Sequence, residues 1–254
     1  RAAFSSCSSL TELVLPSSVT TIDEDAINYL RGLTTIHIPE NVVSIHERNF
    51  YGCSSLTAIT VAANNPSYSS VNGVMYDKAA ETLIYCPDGY ADTLILPASV
   101  KTIDFGMFNS CTLLKRIEIH QDNADYSSID GVLYDKGGKH LVYCPRGYED
   151  VLNLPAKVDY IDTYGLIAAV KLKSINVDPQ NAAFSSYNGV LYNKSGTELV
   201  FCPRGFTGVL QVADNTVSVA ANAIEDCHGI TAVYFPQSIN SIGKLGVSYS
   251  NGLS

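Results

Sequence analysis

Residues 131–148, GVLYDKGGKHLVYCPRGY, bring together side chains that elsewhere perform three kinds of chemistry. The Gly-Gly-Lys at 137–139 resembles part of a phosphate-binding loop, in which backbone amides and a lysine hold phosphate oxygens. Cys144 lies near His140 in sequence, as a thiol nucleophile lies near the base that activates it. Arg146 offers a planar guanidinium to an anion. The three interpretations are phosphate binding, thiol catalysis and anion recognition.

Two related segments of the same chain test these interpretations. Residues 68–90 and 184–206 repeat 126–148 at steps of 58 residues, and the copies at 68–90 and 126–148 share 14 of 23 positions. The central turns are DKAAET, DKGGKH and NKSGTE, so the paired glycines and the histidine occur in one copy only. Apolar segments on both sides of a short polar turn are typical of a β-hairpin. We therefore predict a repeated hairpin, with no catalytic residue and no cofactor.

A shorter unit lies within the 58-residue period. A run of alternating apolar residues occurs nine times, from Leu13/Leu15 to Val233/Phe235, at offsets of 23 or 35 residues. Alternation with period two indicates a half-buried strand. Such short strands bury their apolar face only by stacking on their neighbours, at about 4.8 Å, into a continuous core and a parallel ladder.

Further apolar residues follow each strand at fixed positions. The pairs run from Val19/Ile22 to Ile239/Ile242, include Val217/Val219, and predict a second short strand or turn. A Phe or Ile and then a Cys come next, and these predict small plugs buried between rungs. Because the gaps between rungs are short, we expect only 3-10 helices or single turns there.

The features of the repeat occur in a fixed order: a strand, a proline, a Val/Ile pair, an aromatic residue and a cysteine. Together they follow the pattern L..I.IP.SV..I...AF..C..L. The chain therefore resembles the BspA-like leucine-rich repeats of bacterial surface proteins over essentially its whole length, although Ala169 replaces the cysteine and Ala213 the proline. The resemblance implies a mostly β, curved, right-handed leucine-rich-repeat solenoid. It would have a parallel β-ladder, short 3-10 or single-turn pieces, and β-hairpin insertions on alternate rungs.

We predict a single solenoid domain over 1–254, with 58-residue double rungs at 56–113, 114–171 and 172–229. The chain starts within a rung and ends in Gly/Ser-rich sequence, so we expect a fragment of a longer protein. Its net charge of −9 argues against nucleic-acid partners, which favour basic surfaces. No apolar run reaches the roughly 18–20 residues of a membrane helix, so no membrane insertion is expected in this segment. A monomer is expected.

The cysteines and carboxylates have plain structural interpretations beside the chemical ones. The seven cysteines fall on repeat positions and lack zinc-ligand spacing, which predicts buried thiols rather than disulfides, nucleophiles or a metal site. Asp104 and Asp162 lie two rungs apart, a separation near that of a glycosidase pair, yet both follow a strand as turn residues do. Residues 122–131, DNADYSSIDG, resemble a calcium loop, but the sister segments lack the acids.

Residues that alternate with the buried strand positions are the best candidates for contact with a partner. The resemblance implies a secreted or cell-surface module, used in adhesion, that binds a protein or glycan on an extracellular surface. Two alternatives stay open: a glycan-active enzyme on a β-solenoid, which would need clustered acids in a pocket, and a purely structural spacer. The predicted partner-binding residues, on the concave ladder, are His37, Thr60, Arg116, Glu118, Asn153, Asn176, Gln211 and Tyr234.

Overall fold

The computed structural model describes residues 2–250 and 252 and shows a mostly β solenoid of parallel ladders. The chain forms two compact units, Arg1–Lys136 and Gly137–Ser254. The single domain over 1–254 stays a prediction.

The strands are short, as the sequence predicts, and regular helix in the described residues is confined to two pieces. A 3-10 helix spans Phe105–Ser110, and one α-helix, α1, spans Thr163–Ile167. In chain order the strands of the described residues are β1 (Thr21–Ile22), β2 (Thr35–Ile38), β3 (Ser44–Ile45), β4 (Ala58–Val61), β5 (Tyr68–Val71), β6 (Val74–Asp77), β7 (Thr82–Tyr85), β8 (Asp92–Leu96), β9 (Thr102–Ile103), β10 (Leu114–Ile119), β11 (Tyr126–Ile129), β12 (Val132–Asp135), β13 (His140–Tyr143), β14 (Val151–Leu154), β15 (Tyr160–Ile161), β16 (Ser174–Val177), β17 (Phe184–Tyr187), β18 (Val190–Asn193), β19 (Glu198–Phe201), β20 (Thr207–Gln211), β21 (Ser218–Val219), β22 (Ile224–Glu225), β23 (Gly229–Tyr234), β24 (Ser241–Ile242) and β25 (Val247–Ser248).

The longer rung strands pair in parallel, two at a time. In the first unit β2 pairs with β4 and β8 with β10, and in the second unit β14 pairs with β16 and β20 with β23. Alternate side chains are buried, so Ile36 and Ile38 lie in the core while His37 faces solvent. The first predicted strand does not form. Leu13 and Leu15 pack against the core but lie outside any ladder.

Hairpins interrupt the ladder that the sequence analysis predicts as continuous. In the first unit the β4 amide of Ile59 donates to the carbonyl of Gly73 at 2.8 Å, and that of Val61 donates to Ser70 Oγ at 3.0 Å. Both acceptors belong to the insertion. Because it takes up these edge amides, β4 does not pair with β8, the next rung strand.

The insertions are hairpins, as predicted, in both copies that lie wholly within one unit. β5 and β6 are antiparallel across Asn72-Gly73, whose φ angles of 52° and 81° fit a type I′ turn. β6 then pairs with β7, and β17, β18 and β19 repeat this arrangement in the second unit. The DKAAET and NKSGTE turns thus connect strands and form no phosphate loop.

The second predicted ladder is present as parallel strands of two to four residues. β1 pairs with β3 and β7 with β9 in the first unit, while β13 pairs with β15 and β19 with β21 in the second. Two residues of the predicted pairs are exposed: Val217, with Thr216 buried in its place, and Ile242. Thr216 comes three residues after Ala213, as the buried Val42 comes three residues after Pro39, and its hydroxyl donates to the Gly196 carbonyl at 3.3 Å.

The turn segments between rungs supply the buried plugs. Phe50 and Phe108 are buried, and Phe108 belongs to the 3-10 helix. At 165–170, where the usual aromatic residue is missing, α1 buries Leu166 instead. Gly165 in α1 passes so close to the backbone of Val142 that an added Cβ would overlap it. None of the helices in the described residues combines the length and apolarity needed to cross a membrane.

Candidate functional site

In the first unit the predicted partner-binding residues lie on two strand pairs. His37 and Thr60 are exposed register neighbours, and His37 Nδ1 lies 3.0 Å from Thr60 Oγ1. Arg116 and Glu118 are half-buried on β10, with Arg116 Nη2 3.6 Å from Glu118 Oε1. Ser128 Oγ, from the adjoining hairpin strand β11, donates to Glu118 Oε2 at 2.8 Å. This charged pair is therefore held by its own unit, while His37 and Thr60 are open to solvent.

In the second unit the remaining predicted residues form two exposed register pairs. Asn153 on β14 lies beside Asn176 on β16, and Gln211 on β20 lies beside Tyr234 on β23. Tyr234 is the largest of these side chains and is 57% exposed. We define the outward ladder as these eight residues, each of which points away from the core of its own unit.

The thiol of the opening segment is buried. Cys144 has no solvent exposure, and burial raises the pKa of its thiol well above the usual range. His140 packs edge-on against Tyr160, with ring centroids 4.5 Å apart. A thiol that stays protonated and sealed from solvent is a weak nucleophile. The arrangement therefore gives no support to thiol catalysis.

The recurrent cysteines fill the core, with one exception. Burial raises the pKa of Cys53 to about 11. Cys111 Sγ donates to the Pro87 carbonyl at 3.4 Å and Cys227 Sγ to the Cys202 carbonyl at 3.6 Å, which accounts for a small, weakly donating residue there. The remaining thiol of the same repeat position, Cys7, is exposed, which corrects its prediction as a buried plug. The turn that carries Cys7 bonds to residues 24–28 of the next rung, and no other described rung packs on its opposite side.

These burials predict how the native thiols react. A thiol-specific alkylating reagent should modify Cys7 quickly and leave the six buried cysteines protected, because only accessible thiols react. Mass spectrometry should find one adduct on the native protein and seven after denaturation. Cys7→Ser should show none under native conditions. Fast modification at a second site, or a melting temperature that drops when reductant is added, would contradict the buried-thiol arrangement.

Buried asparagines at the start of each insertion were missed by the sequence analysis. Asn65, Asn123 and Asn181 are at most 1% exposed. Asn123 Nδ2 donates to the carbonyls of Ala98 and Val100, and its Oδ1 accepts from two amides that follow it. A buried oxygen engaged in this way is not free for calcium. The recurrence of Asn three residues before YSS or FSS was the signal that would have revealed this role.

The two candidate glycosidase acids serve as helix caps. Asp104 Oδ1 accepts the Gly106 amide at 2.9 Å, at the start of the 3-10 helix. Asp162 Oδ1 accepts the Tyr164 amide at 3.0 Å, at the start of α1. Both therefore satisfy amides that a helix start leaves without a partner, as turn residues do. Among the described residues, no group of three His, Cys, Asp or Glu side chains is placed to hold a metal ion.

A cavity in the first unit collects carboxylates that the sequence analysis did not group. Its volume is about 650 Å³, and its walls come from four turn segments: 25–29, 47–51, 85–88 and 104–110. The lining includes four carboxylates, one guanidinium and three tyrosines. Most of these residues occupy positions where the repeat pattern varies, so periodicity gave no signal for them.

Comparison with known proteins agrees with the repeat architecture. A family model described as "BspA type Leucine rich repeat region" matches residues 1–73 and 86–130 in six copies. No curated protein matches the chain.

Several solved structures are similar to the chain at low identity. A leucine-rich cell surface protein from Faecalibacterium prausnitzii is 20% identical, with 83% of this chain and 57% of that chain covered and a TM-score of 0.44. A leucine-rich repeat protein from Eubacterium ventriosum is 17% identical, with 95% of this chain and 77% of that chain covered and a TM-score of 0.42. The pneumococcal vaccine antigen PcpA is 15% identical, with 94% of this chain and 66% of that chain covered and a TM-score of 0.49. The chain thus spans less than two thirds of the first and third of these structures.

The repeat that the family model matches is the same repeat that recurs within the sequence. The strand, back pair and plug found in the matched residues recur in β14 to β16 and in β20 to β23, beyond the matched range. Residues 1–73 and 86–130 of this chain carry BspA-type leucine-rich repeats.

Proposed function

We propose that this chain is a non-enzymatic binding module of a secreted or cell-surface bacterial protein, and that it recognises a protein or glycan through the outward ladder. The observation that carries the proposal is that each unit has exposed register pairs on its own parallel strands, His37 with Thr60 in the first and Gln211 with Tyr234 in the second. Parallel strands hold such side chains at a fixed spacing, so a partner meets a preorganised surface. The family resemblance supports an adhesive role and a location outside the cell.

An array of glycans and extracellular-matrix proteins, probed with the purified chain, would identify a partner. Tyr234→Ser should weaken binding to that partner about tenfold or more, because exposed tyrosines are frequent interface anchors. Tyr164→Ser is the matched control, since Tyr164 is an exposed tyrosine outside the ladder. Reversing the charges of Arg116 and Glu118 should weaken binding as well. Equal binding by all variants would move the contact surface elsewhere, for example to the hairpins.

One observation favours the rival enzymatic interpretation: the carboxylates of the first unit cluster in a cavity. Release of reducing sugar from an arrayed glycan, lost in Asp88→Asn, would establish that rival. Unchanged glycans after prolonged incubation support the binding proposal.

A further inference from the structure

The cavity of the first unit has the composition of a site for a positively charged ligand. Asp25, Glu47, Asp88 and Asp104 line it, opposed by a single cation, Arg48. Arg48 is 64% exposed and lies 3.7 Å from Asp25 Oδ1, so solvent screens much of its charge. The lining therefore carries an excess of negative charge, with Asp88 buried, Asp25 half-buried, and Glu47 and Asp104 exposed. Its volume of about 650 Å³ is within the range of small-ligand sites.

One buried polar group in this cavity lacks a partner. Asn28 is 5% exposed and lines the cavity. Its Nδ2 donates to Asp25 Oδ1 at 2.8 Å, which fixes the orientation of the amide. The remaining atom, Oδ1, is buried and has no hydrogen-bond partner among the described residues. An unpaired buried acceptor is costly, and a ligand that brings an N–H or O–H donor would satisfy it.

The inner carboxylate is held firmly in place. Asp88 is 5% exposed, and it accepts the Tyr85 hydroxyl on Oδ1 and the Gly52 amide on Oδ2, each at 2.8 Å. Desolvation raises the pKa of Asp88, while these two hydrogen bonds favour its charged form. The carboxylate therefore has a fixed orientation, and a cation that enters the cavity would repay part of its desolvation.

Two tyrosines provide an apolar wall near the acids. Tyr29 and Tyr51 pack edge-on, with ring centroids 5.6 Å apart, and both are exposed. Gly52 makes this possible, because a Cβ at its position would overlap the Tyr29 ring. Tyrosine faces attract cations and also pack against aliphatic chains.

From these features we propose that the cavity lined by Asp25, Asn28, Tyr29, Tyr51 and Asp88 binds a primary ammonium group carried on an aliphatic chain, as in a lysine side chain. The ammonium supplies N–H donors for Asn28 Oδ1 and a positive charge for the carboxylates. Its aliphatic stem packs on the tyrosines. This site is separate from the outward ladder, and it does not depend on the function proposed for the ladder.

The same features argue against other ligands. A quaternary ammonium has no N–H donor for Asn28 Oδ1. The carboxylates are not grouped as a metal site in the described residues. A neutral sugar has donors for the asparagine, but it leaves the excess negative charge uncompensated. A primary ammonium meets both requirements.

The test is a titration with Nα-acetyl-lysine N-methylamide, followed by the backbone amide shifts of ¹⁵N-labelled protein at low ionic strength. We expect saturable shifts confined to residues 24–30, 46–53, 85–89 and 104–110, with a Kd in the millimolar range, about that of a single small group. The Nε-acetylated analogue, which is neutral, should produce no saturable shift. Added salt should weaken binding, because it screens the charges.

Variants separate this site from a general effect of acidity. Tyr51→Ala should weaken binding about two- to fivefold, the size of an exposed cation–π contact. Glu47→Gln, at an exposed position of the lining, should weaken it too, while Glu12→Gln removes the same charge outside the cavity and should have no effect. Asp88→Asn should abolish binding, and the exposed variants keep the test valid if this one does not fold.

Three outcomes would overturn the proposal. One is equal affinity for the Nε-acetylated analogue, which would show that the charge is not recognised. Another is equal weakening by Glu12→Gln, which would indicate attraction to the overall negative charge. The third is shifts of the same amides by N-acetylglucosamine at equal affinity, which would assign the cavity to a neutral glycan. Failure of any ladder variant leaves this result unaffected.

Discussion

Asn65→Ala is expected to lower the free energy of unfolding by about 2–4 kcal/mol. Asn65 has no solvent exposure, and its Nδ2 donates to the carbonyls of Pro39 and Val42 at 2.8 and 2.9 Å. Its Oδ1 accepts the amides of Ser67 and Tyr68 at 2.9 and 2.8 Å. Alanine leaves the buried Val42 carbonyl without this donor, at about 1–3 kcal/mol, while the Pro39 carbonyl keeps the Val42 amide at 3.3 Å. The loss of an acceptor for the Ser67 and Tyr68 amides adds to this cost.

Chemical denaturation of the variant and the parent chain measures this loss. Asn41→Ala is the matched control, because Asn41 is exposed and makes one hydrogen bond, to the Ser17 carbonyl at 2.9 Å. Its cost should stay below about 1 kcal/mol. Asn181→Ala should behave like Asn65→Ala, since Asn181 Nδ2 donates to the carbonyls at the equivalent positions, Pro155 and Val158. Similar small costs for all three variants would show that the buried asparagines do not join neighbouring rungs.

Leu141→Ala should cost about 2–5 kcal/mol, the usual range for emptying a buried leucine site. Leu141 lies on β13, has no solvent exposure and is in register with Ile161 of β15. Its strand, β13, pairs with β15 as part of the second ladder. Removing the Leu141 side chain therefore leaves a cavity in the core of the second unit. This result would establish that the segment 131–148, which resembles a reactive site, stabilises the solenoid.

Val151→Ala gives the matched comparison for Leu141→Ala. Val151 also lies on a strand of the second unit but is 41% exposed, so its cost should be below about 1 kcal/mol. Leu199→Ala, at the equivalent buried position of β19, should repeat the large effect. A cost for Leu141→Ala below about half a kcal/mol would mean that its strand is a solvent-exposed flap.

The repeat made most of the fold predictable. The period-two alternation places Ile36 and Ile38 inward, and the polar DKAAET turn joins two antiparallel strands, β6 and β7, as its flanking apolar segments predict. Both depend on local rules, in which a residue and its near neighbours decide the backbone. The exceptions occur where a rung has a different neighbour. Leu13 and Leu15 are not in a strand, and Cys7 is exposed.

The candidate sites were less predictable, for two physical reasons. Alternation shows which side of a strand a residue occupies, so the exposure of His37 and Tyr234 followed from the sequence. It does not show what lies beside that strand, and the hairpin serine that holds Glu118 was unforeseen. The role of Asp88 also depends on Gly52, which lies 36 residues earlier in the chain.

The likeness to BspA-type repeats, most of the strand and hairpin order and the burial of most recurrent cysteines could be predicted from the sequence, because these depend on short periodic patterns. The folded chain was needed to show which edge amides the hairpins occupy and how Asn65 joins two rungs. It also assembled the cavity around Asn28 and Asp88. The hairpin contacts and the buried asparagine recur with the 58-residue period, but alternation alone does not show which segments they join. The cavity arises where turns of different rungs meet and each rung varies, so no period in the sequence specifies it.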